Sequence, residues 1–108
     1  MPKGILFVQS GPSHPDREDE YNTWYTKVHI PDVCAVDGVT GARRYRAVDP
    51  SQLAPGAPGY CAVYDLEADD LAGILGEIGA RAMDGRMAIS DAMAMDPVPA
   101  MTLYELVD

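Results

Sequence analysis

The sequence predicts an α+β fold of a single domain, built from four strands and two helices. Short runs of β-branched and aromatic residues are separated by loops of turn residues, which is typical of strands. Two longer segments carry apolar residues at the three- and four-residue spacing of a helix. The 108 residues, of which 47% are hydrophobic and 23% charged, are enough for one folded domain over residues 1–108.

The chain begins with a predicted strand from Lys3 to Gln9, followed by a polar loop at residues 10–16. The loop consists of Gly, Pro, Ser, His and Asp, most of which favour turns. The carboxylate of Asp16 or Asp19 is able to accept the free N–H groups of a first helical turn, so either residue is expected to cap the first helix. This helix is expected to run to about His29.

Pro31 is expected to kink or restart this helix, because proline has no N–H to donate to the carbonyl four residues earlier. Gly38 then ends the segment. A second strand is predicted over Val39–Val48 and a third over Tyr60–Leu66. The proline-rich connection between them, residues 49–59, is not able to pair in a sheet.

The second predicted helix follows Asp69 or Asp70, either of which is suited to cap it. Its apolar residues fall on one face at helical spacing. They are Leu71, Ile74, Leu75, Ile78 and Ala82. An irregular, methionine-rich segment follows at residues 85–97, and the last strand is predicted over Ala100–Val107.

Three glycines recur at every third position of the second helix, at Gly73, Gly76 and Gly79. Each weakens a helix by up to ~1 kcal/mol relative to alanine. A phosphate-binding loop would lie between a strand and a helix, and would lack leucine and isoleucine at helical spacing. The glycines are therefore predicted to let the helix backbone pack closely on the sheet.

The order strand, helix, strand, strand, helix, strand is the ferredoxin-like arrangement, in which both helices cover one face of an antiparallel sheet. The other face is also expected to be apolar, because Ile5 and Phe7 alternate with Leu6 and Val8 along the first strand. The last strand alternates in the same way. An apolar face of this size marks an association site, so the sequence predicts a homodimer formed sheet to sheet.

The formal net charge of −9 opposes binding to nucleic acid and to acidic membranes, since both require a positive patch. No segment approaches the ~20 apolar residues of a membrane span, and no signal peptide is expected.

Cys34 and Cys61 lack the spacing of a metal site and are expected to be reduced thiols of a cytoplasmic protein. Neither a metal nor a cofactor is expected, and the expected partners are a small-molecule substrate and a second copy of the chain.

The candidate site lies in the first helix. At ~100° per residue, Tyr21, Trp24, Tyr25 and Val28 form an aromatic-lined stripe with His29 on its margin. An imidazole titrates near neutral pH, so His29 is the leading candidate for a catalytic acid or base. The alternative is that His29 caps the helix end by bonding free backbone carbonyls.

Four other residues of this region are assigned roles around His29. Asp32, three residues further on, is expected to orient its ring. Tyr25 either donates a hydrogen bond to a developing enolate, as a catalytic residue, or packs at the edge of the core. Trp24 and Tyr21 either bind substrate as pocket walls or pack in the core.

Arg43, Arg44 and Arg46 alternate across the second strand, so that Arg44 and Arg46 share a face. Which face points inward is left open. Arg44 is the candidate for binding a carboxylate or phenolate of a substrate, and the alternative is a salt bridge in this acidic chain.

Methionine suits pockets that accept varied apolar shapes, so Met93 is a candidate for substrate binding, with core filling or dimer contact as the alternative. The methionines of this region are Met83, Met87, Met93 and Met95.

The segment Glu20–Val33 reads Glu-Tyr-Asn-Thr-Trp-Tyr-Thr-Lys-Val-His-Ile-Pro-Asp-Val. It resembles the E-(F/Y)-N-x-W-Y-x-x-x-H-x-P-x-(V/L) helix of the EthD-like branch of the dimeric α+β barrel superfamily. Residues 36–39 with 42–45, and residues 103–106, resemble later strands of those proteins. The resemblance implies a dimer of ferredoxin-like subunits packed sheet against sheet. The wider superfamily includes cofactor-independent cyclases and isomerases, quinone-forming monooxygenases and haem enzymes, so the resemblance implies a fold more narrowly than a reaction.

Three functions are consistent with these residues. The first is a cofactor-independent enzyme that performs proton-transfer chemistry of the cyclase, isomerase or lyase type on an apolar, oxygenated substrate, with His29 as acid or base. The second is a cofactor-free or haem-dependent oxygenase, the latter needing an axial ligand and a flat apolar slot. The third is a non-catalytic ligand-binding or accessory dimer.

Overall fold

The computed structural model of the protein describes every residue from Met1 to Asp108. Its strands are β1 (Lys3–Ser10), β2 (Val39–Arg46), β3 (Tyr60–Glu67) and β4 (Ala100–Glu105). Its helices are α1 (Glu18–Trp24), α2 (Ile30–Cys34) and α3 (Leu71–Met83), and a turn of π-helix at Tyr25–His29 joins α1 to α2. The predicted α+β fold is confirmed, although β2 and β4 end slightly earlier than expected.

The four strands form one fully antiparallel sheet in the order β2-β3-β1-β4. β1 lies in its interior, where Leu6 is paired with Tyr64 of β3 on one side and with Leu103 of β4 on the other. This arrangement of strands and helices is compatible with a ferredoxin-like fold. None of the helices combines the length and the apolar character that crossing a membrane requires.

The hydrophobic core lies between the sheet and the helices. Because side chains alternate along a strand, Leu6 and Val8 of β1 are buried on the side of the helices. Every second residue of β3 is buried on the same side. The helices contribute Tyr21, Tyr25, Val33, Leu71, Ile74 and Ile78 to this core.

No helix covers the opposite face of the sheet. Ile5 and Phe7 of β1 lie on this face, paired with neighbours that include Tyr104 of β4 and Val63 of β3. Ile5, Phe7 and Val63 are partly buried, and Tyr104 is 52% exposed. The expected apolar surface is therefore present around Ile5, Phe7 and Val63, although the same face also carries the ion pair of Arg43 with Asp65.

The helical segment that begins at Glu18 continues to Cys34, beyond the expected end near His29. In the π turn, the N–H of Ile30 donates to the carbonyl of Tyr25, five residues earlier. Pro31 then lies in the first turn of α2, where a missing N–H is tolerated. The expected restart at Pro31 thus takes the form of a wide turn that carries the chain past the proline.

The two predicted helix caps have different outcomes. Asp70 caps α3 as expected, since its Oδ1 accepts a backbone N–H of the first turn at 3.1 Å. Neither Asp16 nor Asp19 caps α1, so that prediction is wrong. A short 3-10 turn at Pro15–Arg17 precedes α1, and Nδ1 of His14 accepts the N–H of Asp16 at 3.3 Å.

Candidate active site

A cavity of about 280 Å³ lies between the π turn, α3 and the methionine-rich segment. Val8 of β1 and Met101 of β4 reach it from the helix-facing side of the sheet, and Gly79 of α3 forms part of its wall. Of all the residues that line it, only Tyr25 and His29 have polar side chains. The cavity is therefore an apolar space with two polar groups side by side in the π turn.

Methionines form much of the cavity wall. Met87 and Met93 are buried, whereas Met95 and Met101 are about half exposed and mark its mouth. Met93 thus lies where a substrate-binding residue is expected. Met83 does not, because its side chain is 90% exposed at the end of α3 and lies outside the cavity.

The ring of His29 lies between two aromatic rings. It stacks on Trp24 with centroids 4.9 Å apart, and meets Tyr25 edge to face at 4.8 Å. Burial lowers the pKa of His29 from 6.5 to about 4, the nearby Asp32 carboxylate opposes this shift, and the Arg44 charge adds to it. His29 is therefore neutral near neutral pH.

Nδ1 of His29 is the only buried side-chain nitrogen or oxygen of the protein without a hydrogen-bond partner. The prediction that His29 caps a helix end is wrong, because the helical segment continues past it and Nδ1 bonds no carbonyl. An unpaired buried polar group costs about 1–3 kcal/mol, and a catalytic role is one recognised reason for a fold to retain one.

Asp32 does not orient His29 as expected. Nδ1 of His29 has no partner, and Asp32 acts on the imidazole only through its charge. Asp32 lies in the first turn of α2, beyond Pro31, where its side chain is partly exposed.

Tyr25 combines a cavity position with nearly complete burial, at 1% exposure. Its hydroxyl accepts a hydrogen bond from the Tyr64 hydroxyl at 3.3 Å. Burial raises the pKa of Tyr25, and the hydrogen bond from Tyr64 opposes that rise. Tyr25 is therefore a neutral phenol that is able to donate its proton in a hydrogen bond. Tyr25 therefore packs in the core and also lines the cavity, which is compatible with both alternatives from the sequence.

Trp24 and Tyr21 lie outside the lining of the cavity. Nε1 of Trp24 donates to the carbonyl oxygen of Ala88 at 3.1 Å, which ties the methionine-rich segment to the helix. Tyr21 is fully buried, and its hydroxyl shares a 2.5 Å hydrogen bond with Ser10. Trp24 supports the ring of His29, and Tyr21 packs in the core.

Arg44 projects from β2 toward the helices, which settles the open question about the faces of this strand. Its Cζ lies 4.5 Å from the ring centroid of Tyr25. Its guanidinium donates to Oγ1 of Thr26 at 3.0 Å and to Oδ1 of Asn22 at 2.9 Å. Arg44 does not line the cavity, but it lies against Tyr25, which does.

Arg43 lies on the opposite face of the same strand. Its guanidinium pairs with the Asp65 carboxylate at 2.6 Å. The salt bridge that the sequence left open as an alternative is therefore formed by Arg43. Arg44 forms none, because its hydrogen bonds go to the neutral side chains of Thr26 and Asn22.

Gly79 is a cavity residue that the sequence analysis assigned to another role. A Cβ at Gly79 or at Gly76 would meet no atom of the sheet within 4 Å, so the predicted close packing is wrong for both. At Gly73 a Cβ would meet the capping carboxylate of Asp70 at 2.9 Å. The missing side chain of Gly79 instead leaves space in the cavity. The sequence offered one signal for this role, namely a helix-weakening glycine inside an otherwise regular helix.

No group of three or more His, Cys, Asp or Glu side chains is arranged to hold a metal ion. Comparisons of the chain with protein-family models, with curated proteins and with solved structures find no match. The cavity and its two polar residues are therefore the basis on which a function is argued.

Proposed function

We propose that this protein is a cofactor-independent enzyme that moves a proton on an apolar, oxygenated small molecule, in a cyclisation, an isomerisation or a lyase-type cleavage. The observation that supports the proposal is the position of His29 and Tyr25 as the only polar side chains of an apolar cavity. His29 acts as the base that accepts a proton from the substrate. Tyr25 donates a hydrogen bond to the substrate oxygen on which negative charge develops.

The surroundings of His29 suit this role. Burial keeps the imidazole neutral, so its ring is ready to accept a proton without first losing one. Apolar side chains such as Met87 and Ile78 line the cavity around the two polar groups, and an apolar lining strengthens the electrostatic effect of each of them. A proton on a carbon next to a carbonyl is the substrate proton that such a base is able to remove, because the resulting charge moves to oxygen.

We also infer that the chain forms a homodimer of ferredoxin-like subunits, of the dimeric α+β barrel type, as the resemblance of residues 20–33 to the EthD-like branch implies. The uncovered face of the sheet supports this inference, since Ile5, Phe7 and Val63 lie at its centre. An apolar face of this kind becomes more stable when a second copy covers it.

The test of the chemistry is deuterium incorporation at the α-carbon of a panel of aromatic ketones and β-diketones, followed by NMR in D₂O. The wild-type protein is expected to accelerate exchange for at least one member. His29→Ala is expected to slow that exchange by roughly 10²–10⁴-fold, the usual contribution of a general base. Exchange that persists in a folded His29→Ala variant would rule out His29 as the base.

The test of the cavity uses two glycines of the same helix. Gly79→Leu fills the cavity, whereas Gly76→Leu places the same side chain on the exposed side of α3. A ligand that raises the melting temperature of the wild type is expected to do so for Gly76→Leu and not for Gly79→Leu. Equal responses of the two variants would show that the ligand binds elsewhere.

A non-catalytic ligand-binding dimer is the second candidate. The observation that favours it is the lack of a hydrogen-bonding partner for His29, since catalytic bases are generally oriented by a hydrogen bond from a third residue. Under this alternative, the wild type and His29→Ala bind the same ligand, and neither accelerates exchange.

A further inference from the structure

Arg44 is a partly buried cation without a counter-ion, in a chain with a formal net charge of −9. Arg46, on the same strand, is exposed to solvent. The remaining arginines each pair with at least one carboxylate. They are Arg17, Arg43, Arg81 and Arg86. In this acidic chain, the positive charge that the fold leaves uncompensated among the aromatic rings is that of Arg44.

Two carboxylates of the helical segment, Glu18 and Asp32, act on other groups of this region. Glu18 accepts a hydrogen bond from the Tyr60 hydroxyl at 2.7 Å, and the Tyr60 ring lies 5.5 Å from Cζ of Arg44. Asp32 acts from α2 on His29. Neither carboxylate pairs with Arg44, whose charge therefore acts on the tyrosines and on the cavity beyond them.

Tyr25 connects this charge to the cavity. Cζ of Arg44 lies 4.5 Å from the ring of Tyr25, which lies 4.8 Å from the ring of His29, so the charge is within about 9 Å of His29. Burial raises the pKa of Tyr25 and of Tyr64, and the Arg44 charge opposes both rises. The same charge helps to lower the pKa of His29. At this end of the cavity, Arg44 favours a negative charge over a positive one.

We propose that Arg44 is a positioning residue that stabilises negative charge on the oxygen of a ligand bound in the cavity, acting through Tyr25 without touching the ligand. The ligand class is a phenol or an enol, that is, a weakly acidic hydroxyl on an apolar body. Its oxygen lies beside Tyr25 and His29, and its apolar body lies against Met87 and Met93. This inference rests on the proposed function, because it names the substrate class of the same cavity.

A magnitude follows from the distance. For an anionic oxygen placed beside His29, about 9 Å from Cζ of Arg44, a unit charge at an effective dielectric constant of about 20 changes the affinity about twentyfold. The neutral form of the same ligand gains almost nothing from the charge. The expected signature is therefore a difference between two protonation states of one ligand, which loss of packing around Arg44 would not produce.

The probe is para-nitrophenol. Its phenol and phenolate forms are compared by titration calorimetry at one pH below and one pH above the pKa of the probe. Both pH values lie above the range in which His29 takes up a proton. The Arg44 charge is expected to raise the ratio of phenolate affinity to phenol affinity about twentyfold, whichever form the wild type binds more tightly. Arg44→Met, which keeps an apolar stem, is expected to lose about twentyfold in phenolate affinity and to keep its phenol affinity. Arg43→Met, on the other face of β2, is the matched control and is expected to retain both affinities.

The outcomes separate this inference from the proposed function. A variant without the charge, Arg44→Met or, if that fails to fold, Arg44→Gln, overturns the inference and leaves the cavity standing if its ratio of phenolate to phenol affinity equals that of the wild type. An equal loss of both forms in Arg44→Met also overturns it, because Arg44 would then be a packing residue. A wild type that binds neither form overturns the inference together with the proposed ligand cavity. Arg44→Lys keeps the charge and is expected to keep most of the wild-type ratio of phenolate to phenol affinity.

Discussion

Mild acid is expected to destabilise the protein through His29. The folded protein holds the pKa of His29 at about 4, whereas the unfolded chain returns it to 6.5. Because the folded value is the lower one, the unfolded state takes up the proton more readily. His29 therefore does not reduce the free energy of unfolding above pH 6.5. As the pH falls from 6.5 toward 4, protonation of His29 lowers this free energy.

The size of this loss follows from the two pKa values. Each pKa unit corresponds to about 1.4 kcal/mol, so protonation of His29 lowers the free energy of unfolding by about 3 kcal/mol in full, and by about 2 kcal/mol midway through the window. A domain of this size has a total stability of about 5–15 kcal/mol. The paired carboxylates Glu77 and Asp65 have pKa values lowered from 4.5 and 3.8, so they weaken the fold only at lower pH.

The assay is urea unfolding at neutral pH and at a pH midway between 6.5 and 4. The wild type is expected to lose about 2 kcal/mol between these conditions, and His29→Gln is expected to lose almost none. His14→Gln is the matched control, because the His14 side chain is 65% exposed, and it should behave as the wild type does. Equal losses in the wild type and in His29→Gln, or a His29 signal that titrates near 6.5 by NMR, would refute the burial argument.

Three further predictions concern the helix α3, the methionine-rich segment and the uncovered face of the sheet. Gly79→Ala and Gly76→Ala are each expected to raise the free energy of unfolding by about 0.5–1 kcal/mol, since neither Cβ meets another atom; a lower melting temperature for Gly79→Ala would contradict this. Trp24→Phe removes the solvent-exposed hydrogen bond to Ala88 and is expected to cost about 0.5–1.5 kcal/mol; faster amide exchange in residues 87–95 would show that the segment has loosened. Val63→Lys is expected to convert a dimer into a folded monomer by sedimentation, and a persistent dimer would contradict association through the sheet.

Local patterns account for the parts of the fold that the sequence predicted. Alternation along β1 and helical spacing along α3 depend on neighbours within a few residues, so they are visible without knowledge of the tertiary contacts. The cap at Asp70 is local in the same sense. The same reasoning brought His29 and Tyr25 together, because they lie one helical turn apart on one segment.

The parts that the sequence did not predict depend on distant contacts. The strand register pairs Arg44 with Ala62, and this small residue leaves room for a guanidinium beneath the helix. A pattern within β2 alone does not contain that information. The role of Gly79 likewise depends on the methionine-rich segment, which lies across the cavity from α3. A helical glycine in isolation is compatible with close packing or with open space.

The weak basicity of His29 and the unpaired charge of Arg44 become consistent with each other once a ligand is bound. In the empty protein, burial and Arg44 together keep the pKa of His29 at about 4, which makes it a poor base. An anion within about 4–6 Å of an imidazole raises its pKa by about 1–3 units. The enolate that forms when His29 takes a proton from the substrate would therefore raise the pKa of His29 toward the neutral range, where acid and base catalysis is most efficient. In the proposed enzyme, the negative charge that Arg44 stabilises is also the charge that holds the transferred proton on His29.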